Sequence, residues 1–230
     1  MNSSYFKVDK KNKDITLTPN EGYDKVLIWM HGLGDTALGY TDLFIQARPI
    51  PNRMKVVLLT AETCPVTVNG GMKMPSWYDI KSLDKNDIDS VNESDVIKSG
   101  DRIKKVVEQE ANLLNGQYSK IIVGGFSQGG CMSFHVGLAI DQNLGGIICL
   151  SGILFPFSFT SNNIQDKKDI PVFIGHGKYD TLIPSSFAEL SNQTLVKSGF
   201  RKVKLVYYDE EHTISMEELD DMKDFIQKFI

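Results

Sequence analysis

The stretch that most constrains this chain is Gly124-Gly125-Phe126-Ser127-Gln128-Gly129-Gly130. The apolar run Ile121-Ile122-Val123 leads straight into it and an amphipathic run follows, which predicts a strand, a G-x-S-x-G turn and a helix in direct succession. In such a nucleophile elbow the serine stands at the apex of a strained turn, and glycines flank it because side chains there would strike neighbouring backbone. Ser127 is therefore the candidate nucleophile. The competing reading is a helix N-cap, and the five-residue pattern alone does not separate the two. The rest of the chain must decide.

Short, β-branched apolar runs recur at 26–30, 56–59, 121–123, 147–150, 172–174 and 203–207, continuous enough to be strands buried on both faces. Helical periodicity intervenes across 96–114, 132–140 and 187–196, and Met216, Leu219, Met222, Phe225, Ile226 and Phe229 mark a final amphipathic helix. This alternation predicts an α/β fold, a mostly parallel sheet with helices on both faces, in one domain over residues 1–230. Ile15-Thr16-Leu17-Thr18 and the first residues are candidate antiparallel edge strands. Two long irregular stretches, 61–94 and 151–169, have the length that inside a compact domain is usually functional or mobile.

Bulk properties narrow the partners. With 41% hydrophobic residues in 230 the chain can bury a substantial core, and a net charge of −4 without a Lys/Arg stripe argues against nucleic acid. Cys64, Cys131 and Cys149 are odd in number, lack C-x-x-C spacing and sit in apolar or glycine-rich surroundings. That suits reduced core thiols of a cytoplasmic protein better than a disulfide frame or a metal site. The segment Met1-Asn2-Ser3-Ser4-Tyr5-Phe6-Lys7 carries no secretion or lipidation signal, and no apolar run approaches the ~20 residues that cross a bilayer. A soluble protein with at most transient membrane contact is expected.

In open parallel sheets ligands gather at the carboxyl ends of the strands. After the first long strand comes His31-Gly32-Leu33-Gly34-Asp35-Thr36, a turn whose Leu33 N–H, paired with the N–H of Gln128, would complete an oxyanion hole. A serine hydroxyl needs a histidine base, and that base needs a carboxylate. Of the four histidines, the chain order Ser, acid, His leaves His176 and His212 in contention, and His212 leaves room for an acid before it. Asp180, on the loop leaving a buried strand, is the strongest acid candidate, with Asp209 as its rival three residues from His212. His176 is otherwise a structural residue holding the Asp180 loop, and His135 a helix histidine.

Taken together, the His31 to Thr36 block, Met74-Pro75-Ser76-Trp77-Tyr78-Asp79, the elbow, His176-Gly177 followed by Asp180, and the late His212 closely resemble the acyl-protein thioesterase and lysophospholipase-like carboxylesterase family. The resemblance runs from about residue 25 to the end. It implies an α/β-hydrolase fold, a triad of Ser127, Asp180 and His212, an oxyanion hole from Leu33 and Gln128, and an apolar channel for a fatty acyl chain. Two departures stand out: Asp209-Glu210-Glu211 before the histidine is more acidic than in relatives, and Thr213-Ile214 replaces the Ser-Ser after it. Asn2 stands where some relatives carry an acceptor cysteine, so recruitment by the enzyme's own palmitoylation is not supported.

In Gly70-Gly71-Met72-Lys73-Met74-Pro75-Ser76-Trp77 the methionines are flexible apolar groups suited to a lipid, making Met72, Met74 and Trp77 candidate substrate-binding residues. Core packing of Met74 and Trp77 is the alternative. The expected activity is hydrolysis of fatty acyl thioesters, above all S-palmitoyl groups on protein cysteines, through an acyl-enzyme and without metal or organic cofactor. Substrates would be S-acylated proteins or acyl lipids, with lysophospholipid or short-chain ester hydrolysis as the alternative. A non-catalytic binding module is the competing class. The sequence carries no signal of oligomeric state.

Overall fold

The computed structural model describes residues 5–82, 90–159 and 164–229. Its strands are β1 (Phe6–Lys11), β2 (Asp14–Pro19), β3 (Lys25–Met30), β4 (Met54–Leu59), β5 (Thr63–Val66), β6 (Met72–Pro75), β7 (Ile121–Phe126), β8 (Gly146–Leu150), β9 (Val172–Gly177) and β10 (Val203–Tyr208). Eight of them form one sheet in the order β1-β2-β4-β3-β7-β8-β9-β10. The six predicted apolar runs are its parallel strands, and the early segment forms a β1–β2 hairpin antiparallel to β4.

The strands are buried because helices cover both faces. In β3, Val26, Ile28 and Met30 pack toward α2 (Glu93–Leu113), α3 (Gln128–Ala139) and α4 (Ser185–Lys197). Leu27 and Trp29 pack toward α1 (Ala37–Gln46) and α5 (Met216–Phe229). Full burial of one aliphatic side chain contributes about 1.5–3 kcal/mol. A one-residue slip of β3 would exchange its two side-chain sets between the faces, so its register is firmly fixed. The α2 helix is tied down further by Glu110, whose carboxylate takes both oxygens to Lys55 Nζ of β4 at 2.7 and 2.8 Å within the protein. Removing either partner would leave an uncompensated buried charge.

The stretch 61–94, expected to be irregular, contains the β5–β6 hairpin, with Cys64 opposite Met74 and Val66 opposite Met72. Both strands are four residues long and carry a proline, so they lack the alternating apolar pattern that identifies a strand. Residues 83–89 of this stretch, 160–163 of the stretch 151–169, and the first four residues lie outside the described residues.

Candidate active site

Ser127 joins β7 to α3 with φ 55° and ψ −119°, a left-handed conformation that an L side chain rarely adopts. Its N–H donates to the Leu150 carbonyl at the end of β8 (2.8 Å), which pins the turn to the neighbouring strand. The glycines on either side are required by contact. A Cβ on Gly125 would lie 2.6 Å from the Met30 carbonyl, and one on Gly129 would collide with that same oxygen. The helix start is thus pressed onto the end of β3. Although Ser127 occupies the N-cap position of α3, its side chain makes no capping bond. Its Oγ instead lies 2.9 Å from His212 Nε2.

The other ring nitrogen, His212 Nδ1, is 2.6 Å from Asp180 Oδ2. Asp180 is buried, and its Oδ1 accepts the backbone N–H groups of Leu182 (2.9 Å) and Ile183 (2.8 Å). Each carboxylate oxygen therefore has a separate task, one holding the loop and the other facing the imidazole. Asp209, the rival acid, points into solvent and pairs with Lys178 Nζ at 2.7 Å. Residues 127, 180 and 212 follow β7, β9 and β10, so the parallel sheet delivers all three to one edge.

The remaining histidines are structural in geometry. His31 is buried, with Nδ1 2.6 Å from the Gly32 carbonyl and Nε2 accepting the Ala61 N–H at 3.0 Å. Burial holds its pKa below the ordinary value, so the ring is neutral and protonated on Nδ1. His176 is fully buried and depressed by desolvation in the same way, with Nε2 2.7 Å from the Ile183 carbonyl. His135, on α3, lies 2.8 Å from Ser158 Oγ, and burial pushes it down to about 4.

A cavity of about 380 Å³ opens above Ser127, walled by Leu33, Val68, Ile80, Phe126, Leu182 and Ile183 beside Gln128 and His212. Leu33, Ser127 and Gln128 thus share one chamber. Gln128 is the first residue of α3, so its N–H is not consumed by the helix ladder.

The phospholipase/carboxylesterase family matches residues 12–230. The chain belongs to this family. It is accordingly a hydrolase with the α/β-hydrolase fold, the class that its elbow and sheet imply. It is 32% identical over 220 residues to acyl-protein thioesterase 1 of Candida albicans, covering 89% of this chain and 91% of the relative. To the protein of the same name from Debaryomyces hansenii it is 33% identical over 212 residues, covering 87% and 89%. The crystal structure of Zea mays acyl-protein thioesterase 2 superposes with a TM-score of 0.79 at 23% identity, covering 95% of this chain and 99% of that one, a likeness of fold.

In this hydrolase the three residues anticipated for the acyl surface lie elsewhere. Met72 is 64% exposed on the β5–β6 hairpin, Met74 is half-buried with its sulfur 3.4 Å from Asn69 Nδ2, and Trp77 is 2% exposed. None is part of the cavity wall. Leu182 and Ile183 stand there instead, placed by the same Asp180 turn that fixes the acid, together with Val68 and Ile80 from the hairpin region. The sequence offered a signal for the first two, since they lie two and three positions after Asp180, and none for the others.

Proposed function

We propose that this hydrolase cleaves fatty acyl thioesters, above all S-palmitoyl groups on protein cysteines. The observation that carries the reading is the continuous relay from Ser127 Oγ through His212 to Asp180 at the foot of an apolar-walled cavity. Ser127 Oγ attacks the acyl carbonyl while His212 Nε2 takes its proton, and Asp180 Oδ2 holds the Nδ1–H and stabilises the imidazolium. The N–H groups of Leu33 and Gln128 receive the developing oxyanion. The C–S bond breaks, the leaving thiolate takes the proton from His212, and water then hydrolyses the Ser127 ester by the same steps in reverse order of partners. No step needs a metal or an organic cofactor.

The thioester reading is supported by the name of the relatives, acyl-protein thioesterase 1. The family description, phospholipase/carboxylesterase, supports the second reading, hydrolysis of lysophospholipids or short esters. We place the activity in the cytoplasm, in keeping with the free thiols of Cys64, Cys131 and Cys149, and in one domain. No described helix is long and apolar enough to cross a membrane.

The test compares kcat/KM for monomeric thioesters and oxygen esters across chain lengths. Burying one methylene is worth about 0.8 kcal/mol, so four extra carbons should raise kcat/KM by roughly 100-fold while the chain stays within the cavity. An S-palmitoylated peptide should be deacylated more efficiently than a lysophospholipid. Equal rates from butanoyl to octanoyl, with the lysophospholipid preferred, would overturn the thioesterase reading.

A further inference from the structure

The segment Ser76-Trp77-Tyr78 runs between the two turns that carry the proposed oxyanion donors and is bonded to both. On the elbow side, the Gln128 side chain is 2% exposed and its amide is fully engaged. Its Oε1 accepts the Trp77 N–H at 3.1 Å, while Nε2 donates to the Tyr78 carbonyl at 2.9 Å and to Ser76 Oγ at 3.1 Å. The Ser76 hydroxyl donates onward to the Tyr78 carbonyl at 2.7 Å. On the other side, the Trp77 indole N–H donates to the His31 carbonyl at 2.9 Å, and the Gly34 N–H donates to the Pro75 carbonyl at 2.9 Å. His31 and Gly34 bracket Leu33. Helix α2 braces the segment from behind, with Ser99 Oγ donating to the Trp77 carbonyl at 2.5 Å.

These links matter because the sheet stops short of the donors. The β3–β7 register runs from Val26 opposite Ile121 to Met30 opposite Gly125 and ends there. Leu33 and Gln128 each lie three residues further on, past the last paired rung, where no ladder fixes their spacing. Two N–H groups stabilise an oxyanion only when both point at the same small volume. A displacement of about 1 Å at a reacting centre can cost on the order of 100-fold in rate.

We propose that Ser76-Trp77-Tyr78 is a strut that sets the separation of the two oxyanion donors, with Trp77 and the side chain of Gln128 as positioning residues for hydrolysis. This rests on the serine-hydrolase reading above. Trp77 then acts through its indole N–H and buried ring on the turn around Leu33, away from the acyl chain.

Two variants test it. Trp77→Phe keeps a ring in place but removes the bond to the His31 carbonyl, and Gln128→Met keeps length and backbone N–H but removes every side-chain link to the strut. For each, kcat and KM are measured on a soluble acyl thioester. Affinity is measured for a trifluoromethyl ketone, which adds Ser127 to form an oxyanion, and for a thioether of the same chain, which has no carbonyl. The expected result is a fall of about 10–100-fold in both kcat/KM and ketone affinity, with thioether affinity unchanged within about two-fold. Equal losses for ketone and thioether would overturn the proposal, since the segment would then only shape the cavity. Unchanged kcat/KM in folded Gln128→Met would overturn it as well, even if Trp77→Phe failed to fold. A wild-type protein that neither hydrolyses the thioester nor binds the ketone would instead overturn the serine-hydrolase reading, and this proposal with it.

Discussion

His176 Nε2 lies 3.4 Å from Asp180 Oδ2, the same carboxylate oxygen that faces His212. Its shorter contact is to the Ile183 carbonyl at 2.7 Å, so Nε2 carries the proton and the bond closes the turn whose N–H groups hold Asp180 Oδ1. We predict that His176→Leu, which lacks the donor, lowers kcat by about 10-fold or more through misplacement of the acid. His176→Gln, with an amide N–H at similar reach, should retain most of the rate. A His176→Leu protein that melts earlier but turns over at the wild-type kcat would reduce this residue to packing.

The two acids separate cleanly. Asp180→Asn should favour the wrong imidazole tautomer and cut kcat by roughly 10⁴-fold, the scale known for the serine protease triad. Asp209→Asn removes only a solvent-exposed pair with Lys178 and should change kcat less than two-fold or so. Steady-state kinetics on both variants decide, and a reversed ranking would move the acid to Asp209.

Glu218 yields a pH prediction. It follows Ser215 by three positions, its N–H donates to Ser215 Oγ at 3.1 Å, and its carboxyl turns back toward the Ser215 N–H, a capping box at the start of α5. The carboxyl is 2% exposed against Gly175, with Oε1 lacking any partner. Burial, aided by the Glu210 charge and offset by the Ser215 N–H, pushes its pKa up to about 8. The folded protein therefore holds a proton that the unfolded chain has released above the ordinary carboxylate range. Stability should fall as pH rises through this window toward 8 and level off above it, by a total on the order of a few kcal/mol. Glu218→Gln keeps the capping box and should flatten that slope. Denaturant titrations of both proteins from pH 5 to 9 measure it, and parallel curves would refute the assignment.

The elbow itself stores strain. Ser127→Ala keeps the left-handed backbone, whereas Ser127→Gly relieves it, so the glycine variant should be the more stable of the two by about 1 kcal/mol although both are inactive. Gly129→Ala should do the reverse and cost about 1–3 kcal/mol or more, because its methyl has the Met30 carbonyl in its path. Urea midpoints at one pH compare all three. A stable Gly129→Ala protein with wild-type turnover would show that the helix start can shift.

What could be anticipated from the residues followed physical periodicity. Strands such as Val172-Phe173-Ile174 are continuous apolar runs buried from both sides, and their shortness and β-branched residues mark them as strands rather than buried helix. Ser127, Asp180 and His212 were legible because a hydroxyl nucleophile dictates its partners and the fold dictates their order. The hairpin of Cys64 and Met74 was not, since its short strands owe their pairing to each other and to the turn at Gly70 and Gly71 rather than to an apolar face. Trp77 stayed open between acyl binding and core packing for a related reason. A large apolar residue beside methionines in a glycine-rich loop carries the composition of a lipid surface, and the sequence does not display its burial or the bond from its indole to the His31 carbonyl.

The order in which the sheet's parallel strands supply the site has a bearing on biosynthesis. The proposed nucleophile, Ser127, precedes the proposed base, His212, by 85 positions, and His212 follows β10, an edge strand held on one side only, by β9. A nascent chain can thus complete the elbow, with its serine already strained, long before any imidazole arrives to activate it. Hydrolytic competence should be the last property acquired during folding. Covalent labelling of Ser127 after dilution from denaturant would then time the docking of β10, while tryptophan fluorescence from Trp29 times the earlier closure of the core.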